Sequence, residues 1–277
     1  MIVRLWGTRG SMASAGAQTA RYGGNTACVE VRASDGRLVI LDAGTGIQRL
    51  GRTLAPDIDR IDVLLTHLHM DHIQGLGFFA PVFRRGCQIH IWGPASPTRD
   101  LRGRIGRYMS PPLFPVRLRD LKATFHLHDT PVESFQLGGL TITAAPVIHP
   151  GPTLGYRIHE NGTALAYLSD HEPALGSGEK PADPAWTSGY TLAADADLLI
   201  HDAQYTPEER TMRIGWGHSS VPEALAFAQL TRARRLVLFH HDPTRTDDDL
   251  DAMLAAALVQ SDGRLIVAGH EGDEFRV

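Results

Sequence analysis

The chain has 277 residues, of which 43% are apolar and 21% are charged, as in an ordinary globular protein. A formal net charge of −4 argues against a large basic surface for nucleic acid. No apolar run reaches the roughly 18 residues of a membrane span, and the opening MIVRLWGTRGS has no charged-then-apolar leader, so we expect a cytoplasmic protein.

Short apolar runs bounded by turn residues predict strands throughout the chain. The predicted strands cover residues 2–6, 27–32, 38–41, 61–65, 88–92, 140–144, 163–168, 198–200 and 236–239. A helix is predicted over 47–54, after a Gly-rich turn. Two further helices are predicted over 221–232, where Ser220 and Glu223 form a capping box, and over 247–260, which has an acidic first turn. This alternation indicates an α/β fold, expected as a single domain over 1–277.

Two stretches lack a clear periodic pattern. Residues 96–129 are rich in Arg and Pro and fit either a lid or a surface excursion. Residues 173–184 are rich in Gly, Pro and Ser and are predicted to form a loop.

Four potential metal ligands, His67, His69, Asp71 and His72, follow the predicted strand 61–65 as an H-x-H-x-D-H motif. Imidazole and carboxylate groups bind divalent metal ions. Alternate residues of a strand share one face, so His67 and His69 can reach one ion together, while Asp71 and His72 can turn toward a neighbouring ion. Burying so many polar groups beside an apolar strand without a metal would be costly. The motif therefore predicts a metal centre.

The remaining ligands of such a site are expected as single residues at the ends of later strands. His149, Asp170 and His240 occupy such positions, and His241 is adjacent. A lone histidine at a strand end is more often a surface or hydrogen-bonded residue, but the three in order after the motif favour a complete site. Zinc suits a histidine-rich ligand set, and manganese is the alternative because carboxylates also accept it.

On these motifs the chain resembles the metallo-β-lactamase superfamily, from the first strand to about Pro243. The resemblance implies a four-layered αββα sandwich with a dinuclear metal site at the sheet edges. One ion would be held by His67, His69 and His149, and the other by Asp71, His72 and His240, with Asp170 bridging the two. His241 is the alternative to His240, which is preferred because it directly follows its strand.

The segment Gly215-Trp216-Gly217-His218-Ser219-Ser220 resembles a His-Ser/Thr signature of one branch of that superfamily. This branch contains tRNase Z and small phosphodiesterases, including cyclic-nucleotide enzymes. A leaving alkoxide needs a proton, and imidazole, with an ordinary pKa of about 6.5, can supply it at neutral pH. We therefore predict metal-assisted phosphodiester hydrolysis, in which His218 assists the leaving group and Asp71 orients or deprotonates the attacking water. The alternative for His218 is a hydrogen bond to its own loop.

The predicted substrate is a small phosphodiester, possibly cyclic. Bacterial tRNA-processing members of this branch would carry a long arm between the ligands that match His149 and Asp170, but residues 150–169 allow only a turn and one or two strands, which disfavours tRNA. The resemblance also implies a homodimer. A group of arginines could shape the entrance or form a solvated face: Arg99, Arg102, Arg104, Arg107, Arg117 and Arg119.

Other functions fit the same residues. A hydrolase of lactones, thioesters or amides could use the same scaffold, and a non-catalytic metal-binding module would need no leaving-group acid such as His218. Near the motif, Asp42 is expected either to orient a ligand or to bind its own turn amides. Arg9 is expected to form a surface ion pair in preference to a phosphate contact.

Overall fold

The computed structural model describes residues 1–173, 184–261 and 263–277. Most of the loop predicted over 173–184 therefore lies outside the described residues. Within the described ranges the chain forms two seven-stranded sheets. The first contains β1 (Ile2–Gly7), β2 (Cys28–Arg32), β3 (Leu38–Leu41), β4 (Arg60–Leu64), β5 (Gln88–Gly93), β6 (Thr124–Asp129) and β14 (Glu274–Arg276). The second contains β7 (Ser134–Leu137), β8 (Leu140–Pro146), β9 (Leu154–Glu160), β10 (Thr163–Leu168), β11 (Leu198–Asp202), β12 (Arg235–Phe239) and β13 (Leu265–Ala268).

The two sheets have the same mixed topology. Their strand orders are β14-β1-β2-β3-β4-β5-β6 and β13-β12-β11-β10-β9-β8-β7. The pairings are antiparallel from β14 to β3 and parallel from β3 to β6. In the second sheet they are antiparallel from β7 to β10 and parallel from β10 to β13.

Helices cover the outer face of each sheet. They are α1 (Gly46–Thr53), α2 (Met70–Ile73), α3 (Leu101–Tyr108), α4 (Tyr190–Ala193), α5 (Pro207–Met212), α6 (Val221–Leu230) and α7 (Asp247–Val259). No helix in the described ranges is both long enough and apolar enough to cross a bilayer.

The strand β3 shows why four layers form. Leu38 and Ile40 pack into the core beneath α1, whereas Val39 and Leu41 pack into the core between the sheets. Successive strand residues point to opposite faces, so a strand buried on both faces is continuously apolar. A third core, which includes Phe227, lies between the second sheet and its helices. The αββα prediction is confirmed, and the single domain over 1–277 stays a prediction.

The sequence analysis missed five strands, β6, β7, β9, β13 and β14. Four of them lack a strong apolar run, whereas β13 is a four-residue apolar run that was overlooked. The irregular pattern predicted over 96–129 is wrong in part, because the segment contains α3 and ends in β6, which pairs with β5 in parallel. β6 is the last strand of its sheet, and its residues 125–128 are half-buried. Its alternation of polar and apolar residues is a strand pattern that the sequence analysis did not use.

Strand direction concentrates functional residues at one edge of the sandwich. Since β8 runs antiparallel to β9, and β9 antiparallel to β10, the strands β8, β10, β11 and β12 all end at the same edge of the second sheet. Parallel β3 and β4 likewise end together in the first sheet. The carboxyl ends of parallel strands are the usual place for ligand sites. The residues at or shortly after these ends are Asp42, His67, His149, Asp170, Asp202 and His240.

Candidate metal centre

The first ligand group consists of His67, His69 and His149, whose ligand atoms lie within 4.8 Å of one another. The strand β4 ends at Leu64, so His67 and His69 lie in the loop after it, and the prediction that one strand face presents both is wrong. The backbone N–H and the hydroxyl of Thr66 both donate to Oδ1 of Asp42, in the turn after β3. The chain therefore leaves the hydrogen-bonding pattern of the sheet at Thr66.

The second ligand group consists of Asp71, His72, Asp170 and His240, all of them buried, and its ligand atoms also lie within 4.8 Å of one another. His72 Nε2 lies 3.2 Å from Asp71 Oδ2 and 3.0 Å from Asp170 Oδ2. His240 Nε2 lies 3.2 Å from Asp71 Oδ2 and from Asp170 Oδ1.

The carboxylate of Asp170 lies between the two groups. Its Oδ1 is 3.9 Å from Nε2 of His67 and 3.9 Å from Nε2 of His149, while its oxygens also contact His72 and His240 in the second group. One carboxylate therefore faces both potential ion positions.

His240, and not His241, joins the cluster. The ring of His241 points away, with Nε2 donating to Gly269 O at 3.0 Å and its edge against Tyr22. Burial is the main cause that lowers the pKa of His241 to about 3. The two neighbouring histidines therefore have separate environments.

Carboxylates make the second group strongly attractive to positive charge. Burial acts to lower the pKa of His240, but Asp170 and Asp71 raise it to about 9. Burial likewise opposes protonation of His72, whose pKa is nevertheless raised well above its ordinary value by Asp170, Asp71 and Asp42. Burial would raise the pKa of Asp170, but the surrounding histidines hold it well below its usual range. Negative carboxylates that face several histidines are an environment that a divalent cation can occupy.

Unsatisfied polar atoms indicate that the residues fit metal ions. Among the described residues, His67 Nε2, His72 Nε2 and Asp170 Oδ2 are buried and make no hydrogen bond of good geometry, although the last two lie 3.0 Å apart. Leaving a buried donor or acceptor unpaired costs about 1–3 kcal/mol. These atoms converge on the two ligand groups and are of the types that coordinate zinc.

Asp42 orients the candidate ligand His72, which is one of the two roles predicted for it. Its Oδ2 accepts from His72 Nδ1 at 2.8 Å and from the Tyr167 hydroxyl at 2.9 Å, and its Oδ1 accepts from the Thr66 backbone at 2.8 Å. A carboxylate bonded to Nδ1 leaves Nε2 free to bind a metal. Asp42 and His240 both have left-handed backbones, with φ of 60° and 59°. Such strain costs about 1–3 kcal/mol and is concentrated at functional sites.

His218 lies beside the cluster and is held by a carboxylate that the sequence analysis left without a role. His218 Nδ1 donates to Asp202 Oδ2 at 2.6 Å, and the His218 ring stacks on His240 with centroids 4.9 Å apart. Asp202 is the last residue of β11, a position close to the strand end like that of Asp170 after β10, so it could have been found. The predicted alternative, in which His218 forms a hydrogen bond only to its own loop, is therefore wrong.

The glycine before His218 makes a close approach that a side chain would prevent. Gly217 O accepts from His149 Nδ1 at 2.9 Å, and a Cβ on Gly217 would lie 2.3 Å from Pro150 Cδ and 2.5 Å from His149 Nδ1. Its φ is +84°, which favours glycine.

We expect Gly217→Ala to displace the His149 ring and the His218 loop, lowering hydrolytic activity by about 10- to 100-fold, as for other contacts that orient metal ligands. Gly36→Ala is the matched control, because Gly36 has φ of +85° and open space around its Cβ position. Turnover and urea unfolding of both variants would test this. If Gly36→Ala lost as much activity as Gly217→Ala, the strain of a side chain at positive φ would by itself explain the loss.

A buried ion-pair network supports the same loop. Arg210 donates to Glu172 Oε1 at 2.7 Å and to Glu223 Oε2 at 2.9 Å. Glu172 also accepts from the backbone N–H groups of Gly215 and Gly217. Since Glu172 follows Asp170 by two residues, the network joins the metal cluster to the His218 loop. The sequence offers no local signal for these long-range pairings.

Arg210→Met is expected to lower the free energy of unfolding by about 3–5 kcal/mol, because two buried carboxylates lose their partner. Arg232→Met provides the control, since Arg232 forms an exposed pair with Asp195, and such pairs contribute little. Urea unfolding monitored by tryptophan fluorescence would measure both. A loss for Arg210→Met no larger than for the control would contradict the role of the network.

The ion pair predicted for Arg9 is buried and does not lie at the surface, because Nη2 of Arg9 is 3.8 Å from Oδ1 of the buried Asp247. Arg9 is fully buried, and its guanidinium donates to the backbone oxygens of Gly23, Asp242 and Arg245. It thereby ties the N-terminal loop to the chain after β12. The predicted surface location is therefore wrong, and the described contacts of Arg9 give it a structural role.

The comparison with family models decides the fold family. A model described as the beta-lactamase superfamily domain matches residues 37–241. The chain belongs to the metallo-β-lactamase superfamily. Ribonuclease Z of Myxococcus xanthus is 28% identical over 272 residues, covering 83% of this chain and 86% of that protein. The chain described here is a metal-dependent hydrolase of the ribonuclease Z and phosphodiesterase branch of the superfamily.

Solved structures of the superfamily show the same fold. A diphosphatase of the PhnP family superimposes with a TM-score of 0.68 at 20% identity, covering 100% of this chain and 97% of that one. Zinc-bound PqqB from Methylobacterium extorquens gives a TM-score of 0.70 at 19% identity, with 100% of both chains covered.

Proposed function

We propose that this protein is a dinuclear metal-dependent phosphodiesterase that acts on small phosphodiesters. The observation that carries the proposal is the position of Asp170, whose carboxylate faces both ligand groups while the His218–Asp202 pair lies beside them. A mononuclear structural site would need neither the second ligand group nor a supported imidazole next to it.

The proposed ligands follow the two groups. His67, His69 and His149 would hold one ion, Asp71, His72 and His240 the other, and Asp170 both. Zinc is proposed because histidines predominate, and the likeness to zinc-bound PqqB supports it; manganese is the alternative. When bound, two divalent ions neutralise charge on the phosphate and lower the pKa of the attacking water.

The remaining chemistry belongs to the side chains. Asp71 Oδ2 accepts from the backbone N–H of Ser11 at 2.7 Å, so the carboxylate is fixed in position to ligate a metal and to orient or deprotonate the attacking water. His218 donates a proton to the leaving alkoxide. Asp202 holds Nδ1 of His218 and thereby directs Nε2, the other ring nitrogen, to the substrate.

The size of the substrate is argued from the chain between His149 and Asp170. It consists of the antiparallel hairpin β9–β10, with the turn at Asn161 and Gly162. No arm able to grip a tRNA projects from this segment, which is described throughout. The relationship to ribonuclease Z of Myxococcus xanthus favours tRNA as the second candidate substrate.

The test is hydrolysis of bis(p-nitrophenyl) phosphate by protein stripped with a chelator and reloaded with zinc or manganese. We expect activity to disappear with the metal and to return at two ions per chain. Cleavage of a 3′-extended tRNA by the reloaded protein would favour the second candidate. Opening of a lactone or thioester without diester hydrolysis would contradict the phosphodiesterase proposal.

A further inference from the structure

Two adjoining cavities lie beside the candidate metal centre, and the ligand groups do not account for all the residues that line them. The smaller cavity, of about 200 Å³, is lined by His67 and His69 of the first ligand group and by Leu68 and Arg104. A second cavity of about 670 Å³ is also lined by Leu68 and Arg104, so the two adjoin. Pockets for small molecules commonly measure about 300–1,000 Å³.

The larger cavity is an apolar surface open to solvent. Its apolar and aromatic walls are Leu68, Met70, Ile73, Tyr108 and Leu113. Met70 is 49% exposed and Leu113 is 70% exposed, so these side chains are not part of the core. Exposed apolar side chains beside a candidate metal site are typical of ligand-binding pockets.

Two arginines give the cavity a positive charge, and none of the described residues that line it is acidic. Arg104 and Arg107 are one helical turn apart on α3 and therefore share a face. Nη2 of Arg104 donates to Pro94 O at 2.5 Å and lies 3.7 Å from the exposed carboxylate of Asp129, which balances part of its charge. The Nη1 and Nε atoms of Arg104 make no hydrogen bond within the described residues. Arg107 forms no ion pair within the described residues. The charge therefore complements an anion attached to an apolar group.

The walls of this cavity are already held in place. The Tyr108 hydroxyl donates to Gln74 O at 2.6 Å, which joins the end of α3 to the chain that follows α2. The side chain of Asp100 caps the first turn of α3 by accepting from Gly103 N–H at 2.8 Å. A preformed pocket loses little entropy when a ligand binds.

We propose that this cavity binds an apolar, ring-sized ester group of the substrate, with Arg104 donating to the attached phosphate. The proposal rests on the phosphodiesterase function and specifies its substrate class. His218 lines neither cavity, so the group bound here is the one retained on the phosphate product and not the alcohol that receives the proton. The preferred substrates are aryl or similarly bulky phosphodiesters.

The first test compares phenyl p-nitrophenyl phosphate with methyl p-nitrophenyl phosphate, which release the same p-nitrophenolate. Each kcat/KM is divided by the rate of the same ester with hydroxide. The metal-loaded wild type is expected to prefer the phenyl ester by about 10- to 100-fold, as for burial of an aromatic ring. Leu113→Asp should lower that ratio severalfold, because a hydrated carboxylate opposes burial of a ring against it. Leu258→Asp, at a position 48% exposed on α7, should leave both substrates unchanged.

The second test measures binding of the two products, phenyl phosphate and methyl phosphate, by calorimetry. Phenyl phosphate is expected to bind about 10- to 100-fold more tightly, with a more negative heat-capacity change. Arg104→Met should weaken both by about 10-fold or more, as for loss of a hydrogen bond to a charged group, whereas Arg102→Met should not. Equal affinities for both products, or no effect of Leu113→Asp on the ratio, would overturn the pocket. Absence of hydrolysis of either diester would overturn only the phosphodiesterase function, because the binding ratio decides the pocket separately.

Discussion

Asp170→Asn is expected to abolish diester hydrolysis, with a loss of about 10³-fold or more, and to leave fewer than two metal ions per chain. The substitution keeps the shape of the side chain but removes the negative charge that faces His67 and His149 on one side and His72 and His240 on the other. Metal ions supply several kcal/mol of transition-state stabilisation, and each 1.36 kcal/mol is worth about tenfold in rate.

The metal content and kcat of this variant would be measured together, by elemental analysis and with bis(p-nitrophenyl) phosphate. Asp57→Asn is the matched control, because Asp57 is exposed on the loop before β4 and distant in the sequence from every ligand. Two bound ions and near-normal turnover in Asp170→Asn would show that the carboxylate is dispensable, and the dinuclear assignment would then be wrong.

His218→Ala is expected to cost about 10²–10⁴-fold in kcat, the range of general acid catalysis, and the loss should depend on the leaving group. An alcohol that leaves as a strongly basic alkoxide needs the proton, whereas p-nitrophenolate leaves almost unaided. We therefore expect a small loss with bis(p-nitrophenyl) phosphate and a large loss with an alkyl or nucleoside diester. His159→Ala, on the exposed side of β9, is the matched control.

Asp202→Asn separates positioning from proton donation. Asp202 contacts His218 Nδ1 at 2.6 Å and is assigned no contact with the substrate, so the variant should show a smaller loss that follows the same dependence on the leaving group. A loss in His218→Ala that is equal for good and poor leaving groups would contradict the acid role. It would leave His218 as a residue that binds or orients the substrate.

Much of this fold could be predicted because its central strands are buried on both faces. The strand β3 is apolar at every position and its neighbour β4 at three of five, and such runs identify strands without knowledge of their partners. The strand β6 alternates His126 and His128 with apolar residues, which is itself a strand pattern. Because it is short and ends an Arg- and Pro-rich segment, it was missed, and its pairing with β5 identified it.

The sequence by itself predicted a metal-dependent hydrolase, which is confirmed, and a set of candidate ligands for its metal ions. Asp170 and His240 follow the ends of β10 and β12, and carboxyl ends of parallel strands meet at one edge, so their convergence could be anticipated from order along the chain. The preference for His240 over His241 came from the resemblance to the superfamily, in which the residue directly after the strand is a ligand.

Tertiary structure alone decided the contacts made between distant segments. Burial of Arg9, the pairing of Arg210 with Glu172, and the meeting of Arg104 with Leu68 at one cavity all join residues whose separation in the chain carries no periodic or local signal. Periodicity reports which face of one element is buried, whereas a buried ion pair or a cavity depends on how two elements pack. The reaction class was therefore predictable from local sequence, while the support of the His218 loop and the shape of the substrate pocket depended on long-range packing.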